Sequence, residues 1–177
     1  MKIPRHGCVT IFVMRPTVIL LSFNSEETLG ATLMSARQVS GEIFVVDSYS
    51  KDGTVELARS LGATVVQHAF EHYGAQRNWA IDNLPISRPW QLHLDADEWM
   101  DGQLVAAIEA LPDEPQHSGY FLPRYLRFLG RELHHGGMRA PPGTSVCSAP
   151  AWAAAKTAST TSTFCSTQEP AASCPVG

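Results

Sequence analysis

The stretch of sequence that decides the fold is Gln-Leu-His-Leu-Asp-Ala-Asp-Glu-Trp at residues 91–99. An apolar run ends here in three carboxylates, Asp95, Asp97 and Glu98. Side chains of a strand alternate between two faces, so Asp95 and Asp97 are expected to point the same way. Carboxylates that close repel each other unless a cation lies between them. The stretch therefore indicates a buried strand that delivers acids to a cleft.

A solvated turn is the alternative interpretation of the same residues. In that case Asp97 or Asp101 caps the helix that follows Trp99. An isolated Asp-x-Asp supports the two interpretations about equally, and the rest of the chain favours the cleft.

Strands alternate with helices on both sides of this stretch. Predicted strands cover residues 17–22, 42–47, 63–67, 90–94 and 119–125, and predicted helices follow Ser25 and cover 54–61, 75–84 and 102–111. Strands that alternate with helices of about ten residues form β-α-β units, hence an α/β fold with a doubly wound, mostly parallel sheet. Ligands of such sheets bind outside the carboxyl ends of the strands. The polar residues that directly follow strand ends, and are expected on one sheet edge, are Asn24, Glu26, Asp47, Asp95 and Asp97.

Composition narrows the class of protein. The 177 residues, 44% hydrophobic and 17% charged, fit one soluble domain, and a net charge of −4 excludes a basic surface for nucleic acid. No apolar run approaches the roughly 20 residues that span a bilayer, and Arg15-Pro16 interrupts the apolar N-terminal region, so we expect a cytoplasmic protein. The cysteines form no Cys-x-x-Cys pair, which argues against a zinc site.

The chain is predicted to have three parts. Residues 1–16 are an N-terminal extension, residues 17–138 form the domain, and residues 139–177 are a low-complexity tail that is largely disordered and carries no site. The tail is dominated by Ala, Ser, Thr and Pro, with Arg139, Lys156 and Glu169 as its only charged residues. The sharp change of composition suggests a reading-frame change, so the domain is expected to be truncated at its C-terminus.

The paired carboxylates suggest a particular chemistry. Without His or Cys ligands beside them, they suit Mg²⁺ or Mn²⁺ held also by phosphate oxygens and water. Asp47, on a neighbouring strand, could accept hydrogen bonds from a base or ribose. A site for a nucleotide-diphosphate sugar would combine these two features: a metal bound to the diphosphate, and next to it a carboxylate that contacts the nucleoside.

At this point the sequence resembles a known family. The residues that carry the resemblance are Ser22–Glu27, Val45–Thr54, Tyr73–Ala80 and Leu94–Trp99. In this order, and over about residues 17–137, they are similar to the family 2 inverting glycosyltransferases of the GT-A fold. The branch associated with lipopolysaccharide core and related cell-envelope glycans is the most similar.

The resemblance implies roles for individual residues. Glu26 and Asp47 would face the nucleotide, and Arg77 would approach the nucleotide or its diphosphate. Asp95 would contact the ribose or metal region, and Asp97 would be the main ligand of a Mg²⁺ or Mn²⁺ cofactor. The partners implied are a nucleotide-diphosphate sugar and a glycan or lipid-linked acceptor, the latter with peripheral contact at the inner face of the membrane.

The sequence departs from the family in its C-terminal part. Inverting enzymes need a carboxylate general base to deprotonate the acceptor hydroxyl. The family has that base downstream of Gly136-Gly137, where this chain has its low-complexity tail, so no catalytic residue is assigned. Two functions follow: a metal-assisted glycosyltransferase, or a catalytically incomplete remnant that binds nucleotide sugar without transfer.

Other interpretations fit less well. A phosphohydrolase would have its Asp-x-Asp after the first strand, and a calcium loop would need Gly where Met100 lies. His93 is expected to be a packed core residue, and His134 and His135 are expected in a solvated loop. Three tryptophans are expected in the core and the cleft wall, Trp79, Trp90 and Trp99.

Overall fold

The fold is an α/β sheet with helices on both faces. The computed structural model describes residues 15–111, 119–122, 125, 127–128, 131–132, 144–148 and 172–173. The helices are α1 (Glu26–Val39), α2 (Thr54–Ser60), α3 (Tyr73–Asn83) and α4 (Gly102–Glu109). The strands are β1 (Thr17–Ser22), β2 (Ile43–Asp47), β3 (Thr64–Gln67), β4 (Trp90–Asp95), β5 (Gly119–Leu122), β6 (Arg127–Phe128), β7 (Arg131–Glu132), β8 (Thr144–Ser148) and β9 (Ala172–Ser173).

The first four strands form the parallel part of the sheet. The order of the large sheet is β3-β2-β1-β4-β8-β5-β9, with β1 parallel to both β2 and β4. β8 is antiparallel to β4 and β5. The chain builds outward from β1 through β2 to β3 and then returns to the other side of β1 with β4. The order therefore reverses between β1 and β4, which opens a crevice at their carboxyl ends.

Two apolar layers hold the sheet between its helices. On one face, Val18 and Leu20 of β1 pack with Leu29 and Leu33 of α1, and Ile108 of α4 belongs to the same cluster. On the other face α3 supplies the cover, and the residues of that cluster are Ile19, Leu21, Phe44, Val46, Ala80, Ile81 and Leu84. Every residue of β1 and β2 is buried, as expected for central parallel strands.

Local sequence explains where the helices begin and end. Gly62, with φ of 77°, takes the left-handed conformation after α2, as glycine commonly does at the end of a helix. α3 begins at Tyr73, earlier than predicted, because the His72 side chain accepts a hydrogen bond from the Ala75 N–H at 3.1 Å. Asp101 caps α4 in the same way, from the Leu104 N–H at 2.8 Å, as one interpretation of the sequence predicts.

Ser25, the residue after which the sequence predicts a helix, makes no side-chain cap hydrogen bond. It occupies the position before α1, but its hydroxyl donates to the Phe23 carbonyl at 3.1 Å and caps no helical N–H. This bond turns the chain between β1 and α1.

The segment predicted to be a disordered tail contains two short strands. β8 pairs with β4 and β5, and β9 pairs with β5. β8 uses the edge of β4 that β1 leaves open, where unpaired backbone groups are available. The other residues of 139–177 lie outside the described residues, as do residues 1–14.

Candidate functional site

The acids predicted at the end of β4 lie at the crevice, in a tight turn. β4 ends at Asp95, and Ala96 and Asp97 form a turn closed by the Glu98 N–H, which donates to the Asp95 carbonyl at 3.0 Å. Strand alternation therefore does not set the direction of the Asp97 side chain, because the strand stops two residues earlier. The Asp97 side chain is exposed, whereas Glu98 folds back to accept the Asp95 N–H at 3.0 Å.

Helix α1 holds this turn from behind through two hydroxyl groups. Thr32 Oγ1 donates to the Ala96 carbonyl at 3.0 Å, and Ser35 Oγ accepts from the Met100 N–H at 3.1 Å. The sequence analysis assigned no role to either residue. Their signal in the sequence is faint: two hydroxyl residues on the face of α1 that also carries Leu29 and Leu33.

Arg77 supplies a cation beside the acids. Its Nη2 lies 2.7 Å from Asp95 Oδ1, and the two side chains are 16% and 35% exposed. The resemblance implies that Arg77 approaches a nucleotide or diphosphate and that Asp95 contacts a ribose or metal. In this structure the two side chains contact each other.

His93 lies on the same face of β4 as Asp95, beneath α3. It is buried, and its Nε2 lies 3.3 Å from Gln91 Oε1. Burial, followed by the positive charge of Arg77, lowers the pKa of His93 to about 3. The ring is therefore neutral at physiological pH, and the prediction of a core histidine is confirmed.

Asp47 is fully buried and uses both carboxylate oxygens within the protein. Its Oδ1 accepts from the hydroxyls of Ser22, at 3.1 Å, and Ser50. Its Oδ2 accepts from the Ser50 N–H at 2.9 Å and Gln67 Nε2 at 3.2 Å. The strand register explains this cluster, since Ser22, Asp47 and Gln67 are direct neighbours on β1, β2 and β3. This carboxylate, which the resemblance implies to face a nucleotide, fixes the loop after its own strand.

Glu26 has a similar role between the loops after β1 and β2. Its Oε2 accepts from the Gly53 N–H at 2.9 Å, so closely that a Cβ on Gly53 would lie 2.5 Å from Oε1. Four further hydrogen bonds join the two loops: Asn24 N–H to Ser50 Oγ, Lys51 N–H to Asn24 Oδ1, Ser25 N–H to Thr54 Oγ1, and Glu26 N–H to Asp52 Oδ2. The side of the crevice next to β1 is therefore one cross-linked unit, which we call the paired loops (residues 23–26 and 48–54).

Two residues of the paired loops have left-handed backbones. Asn24 has φ of 47° and Tyr49 has φ of 61°. Asn tolerates this conformation, but Tyr adopts it at a cost. Asp52 accepts hydrogen bonds from Thr54 and from the Glu26 N–H; these bonds, that of Thr54 above all, lower the pKa of Asp52 and keep it ionised.

Exposed aromatic side chains surround the crevice. Phe23, Tyr49 and Trp99 follow the ends of β1, β2 and β4, and each is about half exposed. Trp90 is buried against Tyr120, as predicted for a core residue, and Trp79 stacks on His68 at 4.0 Å between ring centroids. His134 and His135 lie outside the described residues.

A divalent metal was predicted at the acids. Among the described residues no three His, Cys, Asp or Glu side chains are arranged to hold a metal ion. Asp97 is exposed, whereas Asp95 is paired with Arg77. With one free carboxylate, the protein could hold a metal only if phosphate oxygens and water supplied the other ligands. Mg²⁺ is usually bound in this way.

Comparison with known proteins identifies the family. The sequence model of glycosyl transferase family 2 matches residues 17–155. The chain belongs to this family. The match includes the domain predicted at 17–138 and extends beyond it.

Family 2 relatives with curated descriptions match this chain over about a third of their own lengths. An uncharacterized glycosyltransferase of Rickettsia conorii is 32% identical over 93 residues, which are 52% of this chain and 32% of the relative. The lipopolysaccharide core biosynthesis glycosyltransferase LpsC of Rhizobium meliloti is 31% identical over 102 residues, 55% of this chain and 36% of LpsC. The chain thus spans about a third of the length of these relatives.

Solved structures confirm the predicted GT-A fold. The crystal structure of S. aureus TarS 1-349 matches with a TM-score of 0.51 and 26% identity, over 62% of this chain and 35% of that one. The same protein in complex with UDP matches with a TM-score of 0.53 and 24% identity, over 69% of this chain and 38% of that one.

No helix in the described part of this family 2 chain is long and apolar enough to cross a membrane.

Proposed function

We propose that this chain is the donor-binding part of a glycosyltransferase. It would take a sugar from a nucleotide-diphosphate donor and pass it, with inversion, to a cell-envelope glycan or lipopolysaccharide-core acceptor. The observation that carries the proposal is that the exposed Asp97 turn follows β4 and the paired loops follow β1 and β2, at the carboxyl ends of neighbouring strands, in a chain of family 2. LpsC, a relative, is named for lipopolysaccharide core biosynthesis, and TarS has been crystallised with UDP.

Some residues at the crevice would contact the ligand, and others would fix the shape of the site. Asp97 is exposed and is the carboxylate that would hold a divalent metal together with the donor diphosphate. When bound, such a metal would act as a Lewis acid toward the departing diphosphate. Asp47 and Glu26, which hydrogen-bond to the loop after β2, would set the shape of the nucleoside pocket and would not need to touch the ligand.

Arg77 would serve the diphosphate by exchanging partners. Its guanidinium is 2.7 Å from Asp95 and partly exposed, so an entering diphosphate could compete for it. Guanidinium groups bind phosphate oxygens in the same planar, bidentate way as they bind carboxylates. On this proposal, the unliganded ion pair is the resting state of both residues.

Donor binding can be tested by calorimetric titration of the chain with UDP, UDP-N-acetylglucosamine and other nucleotide sugars, with and without Mn²⁺. We expect Mn²⁺-dependent binding of a nucleotide sugar, and Asp97→Asn should weaken it at least about tenfold, the lower range for a disturbed metal site. Glu109→Gln, which removes the same charge from an exposed residue of α4, is the matched control and should bind normally. Absence of binding, or binding that ignores both Mn²⁺ and Asp97, would contradict the proposal.

A remnant that binds donor without transfer is the second candidate. It is favoured by the composition of residues 139–177, where the family has its general base. The distinction rests on products: release of free sugar without transfer to a supplied glycan acceptor identifies the remnant, and a glycosylated acceptor identifies the transferase.

A further inference from the structure

Two buried hydroxyl residues on α1 have contacts that the packing of the helix does not require. Thr32 is 0% exposed and Ser35 is 5% exposed. Serine and threonine are poor helix-interior residues because their hydroxyls compete for backbone hydrogen bonds. The neighbouring buried positions of α1, Leu29, Leu33 and Ala36, carry apolar side chains. Buried hydroxyl groups at these two positions therefore need hydrogen-bond partners that the apolar contacts of the helix do not supply.

The partner is the acidic turn at the crevice. Thr32 Oγ1 donates to the Ala96 carbonyl at 3.0 Å, next to Asp97, and Ser35 Oγ accepts from the Met100 N–H at 3.1 Å. Ser35 Oγ also donates to the Thr32 carbonyl at 2.9 Å, so its single hydrogen and one lone pair are both used. The two hydroxyls hold both ends of the segment 96–100, which we call the acidic segment.

The acidic segment lacks the pairing that orders its neighbours. Its residues follow the last residue of β4 and precede α4, so no strand ladder holds them. Within the segment, the Glu98 carboxylate accepts the Asp95 N–H at 3.0 Å, which ties Glu98 to the end of β4. Ala96 and Met100 are buried at 7% and 4%, which leaves Asp97 exposed between two anchored ends.

We propose that Thr32 and Ser35 are positioning residues for the donor site: by anchoring Ala96 and Met100 they hold the Asp97 carboxylate where it can meet the metal-bound diphosphate of a nucleotide sugar. This inference rests on the proposed function for the ligand and on the hydrogen bonds alone for the anchoring. Neither hydroxyl touches the ligand, so the effect of each passes through the acidic segment.

Variants of Thr32 separate positioning from simple packing. Thr32→Val keeps the shape and removes the donor, whereas Thr32→Ser keeps the donor. Well below the unfolding temperature, we expect Thr32→Val to weaken Mn²⁺-dependent binding of UDP or the best nucleotide sugar by about tenfold, the range for groups that orient metal ligands. Thr32→Ser should restore most of the affinity. Thr28→Val is the matched control, because Thr28 is an exposed threonine one turn earlier on α1, and it should bind as the unmodified chain does.

Amide hydrogen exchange tests the anchoring without any ligand. Thr32→Val and Ser35→Ala should each speed exchange in residues 96–100 several-fold relative to exchange in β1, and Thr28→Val should not. Should Thr32→Val fail to fold, Ser35→Ala and Thr32→Ser carry the same comparison.

The outcomes distinguish this inference from the proposed function. Failure of the unmodified chain to bind any nucleotide sugar would overturn the proposed function and the donor role, while exchange would still decide the anchoring. Normal binding by the unmodified chain together with unchanged affinity in Thr32→Val and Ser35→Ala would overturn the positioning role and leave the proposed function intact. Lower thermal stability with unchanged affinity and exchange would also overturn it.

Discussion

Asp95 has two kinds of partner in the unliganded chain. Arg77 binds its carboxylate at 2.7 Å, and Glu98 accepts its backbone N–H at 3.0 Å. A carboxylate engaged by a guanidinium is a poorer metal ligand than a free one, because the metal must first displace the cation. On the proposed function, Arg77 would act against metal binding until another anion took its place.

Replacement of Arg77 tests this competition. We expect Arg77→Gln to raise the affinity for Mn²⁺ alone by up to about fivefold, since a partly exposed ion pair is worth roughly 1 kcal/mol at most. The same variant should weaken nucleotide-sugar binding. The concentration of free Mn²⁺ can be followed by electron paramagnetic resonance during titration. Arg59→Gln, an exposed arginine of α2, controls for the loss of charge, and an Arg77→Gln affinity equal to that of the control would refute the competition.

At the residue scale, the sequence predicted which residues lie at the crevice better than what each one does there. Asp95 and Arg77 meet as the charge argument requires. The buried state of Asp47 was not predictable, because the partners of a carboxylate depend on how the loop after β2 folds over it. Thr32 and Ser35 were missed since hydroxyl residues neither strengthen nor break the apolar period of a helix.

Among the described residues, the non-glycine residues with left-handed backbones both lie in the paired loops. Tyr49 has φ of 61° and a side chain that is 49% exposed, so its ring gains little from packing while its backbone is unfavourable. Strain of this kind is found near functional sites, where it positions groups. Asn24, on the facing loop, has the same conformation with a residue that tolerates it.

Exchange of residue types at these positions tests the strain. Tyr49→Asn should raise the free energy of unfolding by about 0.5–1 kcal/mol, because Asn adopts the left-handed region more readily. Asn24→Tyr should lower the free energy of unfolding, because Tyr is strained in the left-handed backbone at position 24 and the hydrogen bond from the Lys51 N–H is lost. Urea unfolding followed by circular dichroism measures both. A Tyr49→Asn variant that is less stable than the unmodified chain would show that the Tyr49 ring makes a larger contribution than its exposure suggests.

At the element scale, the helices and strands from residue 17 to residue 111 were largely predictable, because their apolar periods are strong and Asp101 marks a boundary. The differences lie at the ends. β4 extends to Asp95 and then stops, so that the acids fall in a turn, and α3 begins at Tyr73 because a histidine caps it. A neutral histidine accepts a hydrogen bond as well as the usual cap residues do, but composition gives no sign of it.

The whole molecule should lose stability in mild acid because of a buried histidine. The pKa of His93 is about 3 in the folded chain and about 6.5 in the unfolded chain. As the pH falls below about 6.5, the unfolded chain binds a proton that the folded chain does not. Stability from neutral His93 is therefore complete above this pH and decreases by up to about 1.4 kcal/mol per pH unit toward pH 3.

Unfolding in urea at several values of pH measures the effect. His93→Gln should flatten the dependence of the unfolding free energy on pH between about pH 6.5 and pH 5. The lowered pKa of Asp52 also makes stability fall with falling pH, but only at the lower pH at which carboxylic acids titrate. The change between about pH 6.5 and pH 5 is therefore assigned to histidine. An equally steep dependence in His93→Gln would assign the effect to other groups.

At the scale of the whole molecule, the alternation of strands and helices was sufficient to predict the fold class, and the motifs were sufficient to predict the family. The strand order was not predictable from periodicity, because β2 and β4 both pair with β1 through similar apolar runs. The pairing of β8 with β4 was unexpected as well, since the sequence around Thr144–Ser148 has few of the apolar residues that usually indicate a strand.

The hydrogen bonds between the paired loops also limit which substitutions the two loops can accept. Each bond joins a side chain of one loop to the main chain of the other, as Asn24 with Lys51 and Glu26 with Gly53. A substitution in either loop therefore alters the shape of both, and a compensating change would have to arise in the partner loop. The two segments, more than twenty residues apart in the chain, form a single structural unit. On the proposed function, a change of donor specificity made by loop exchange would require both segments to be exchanged together.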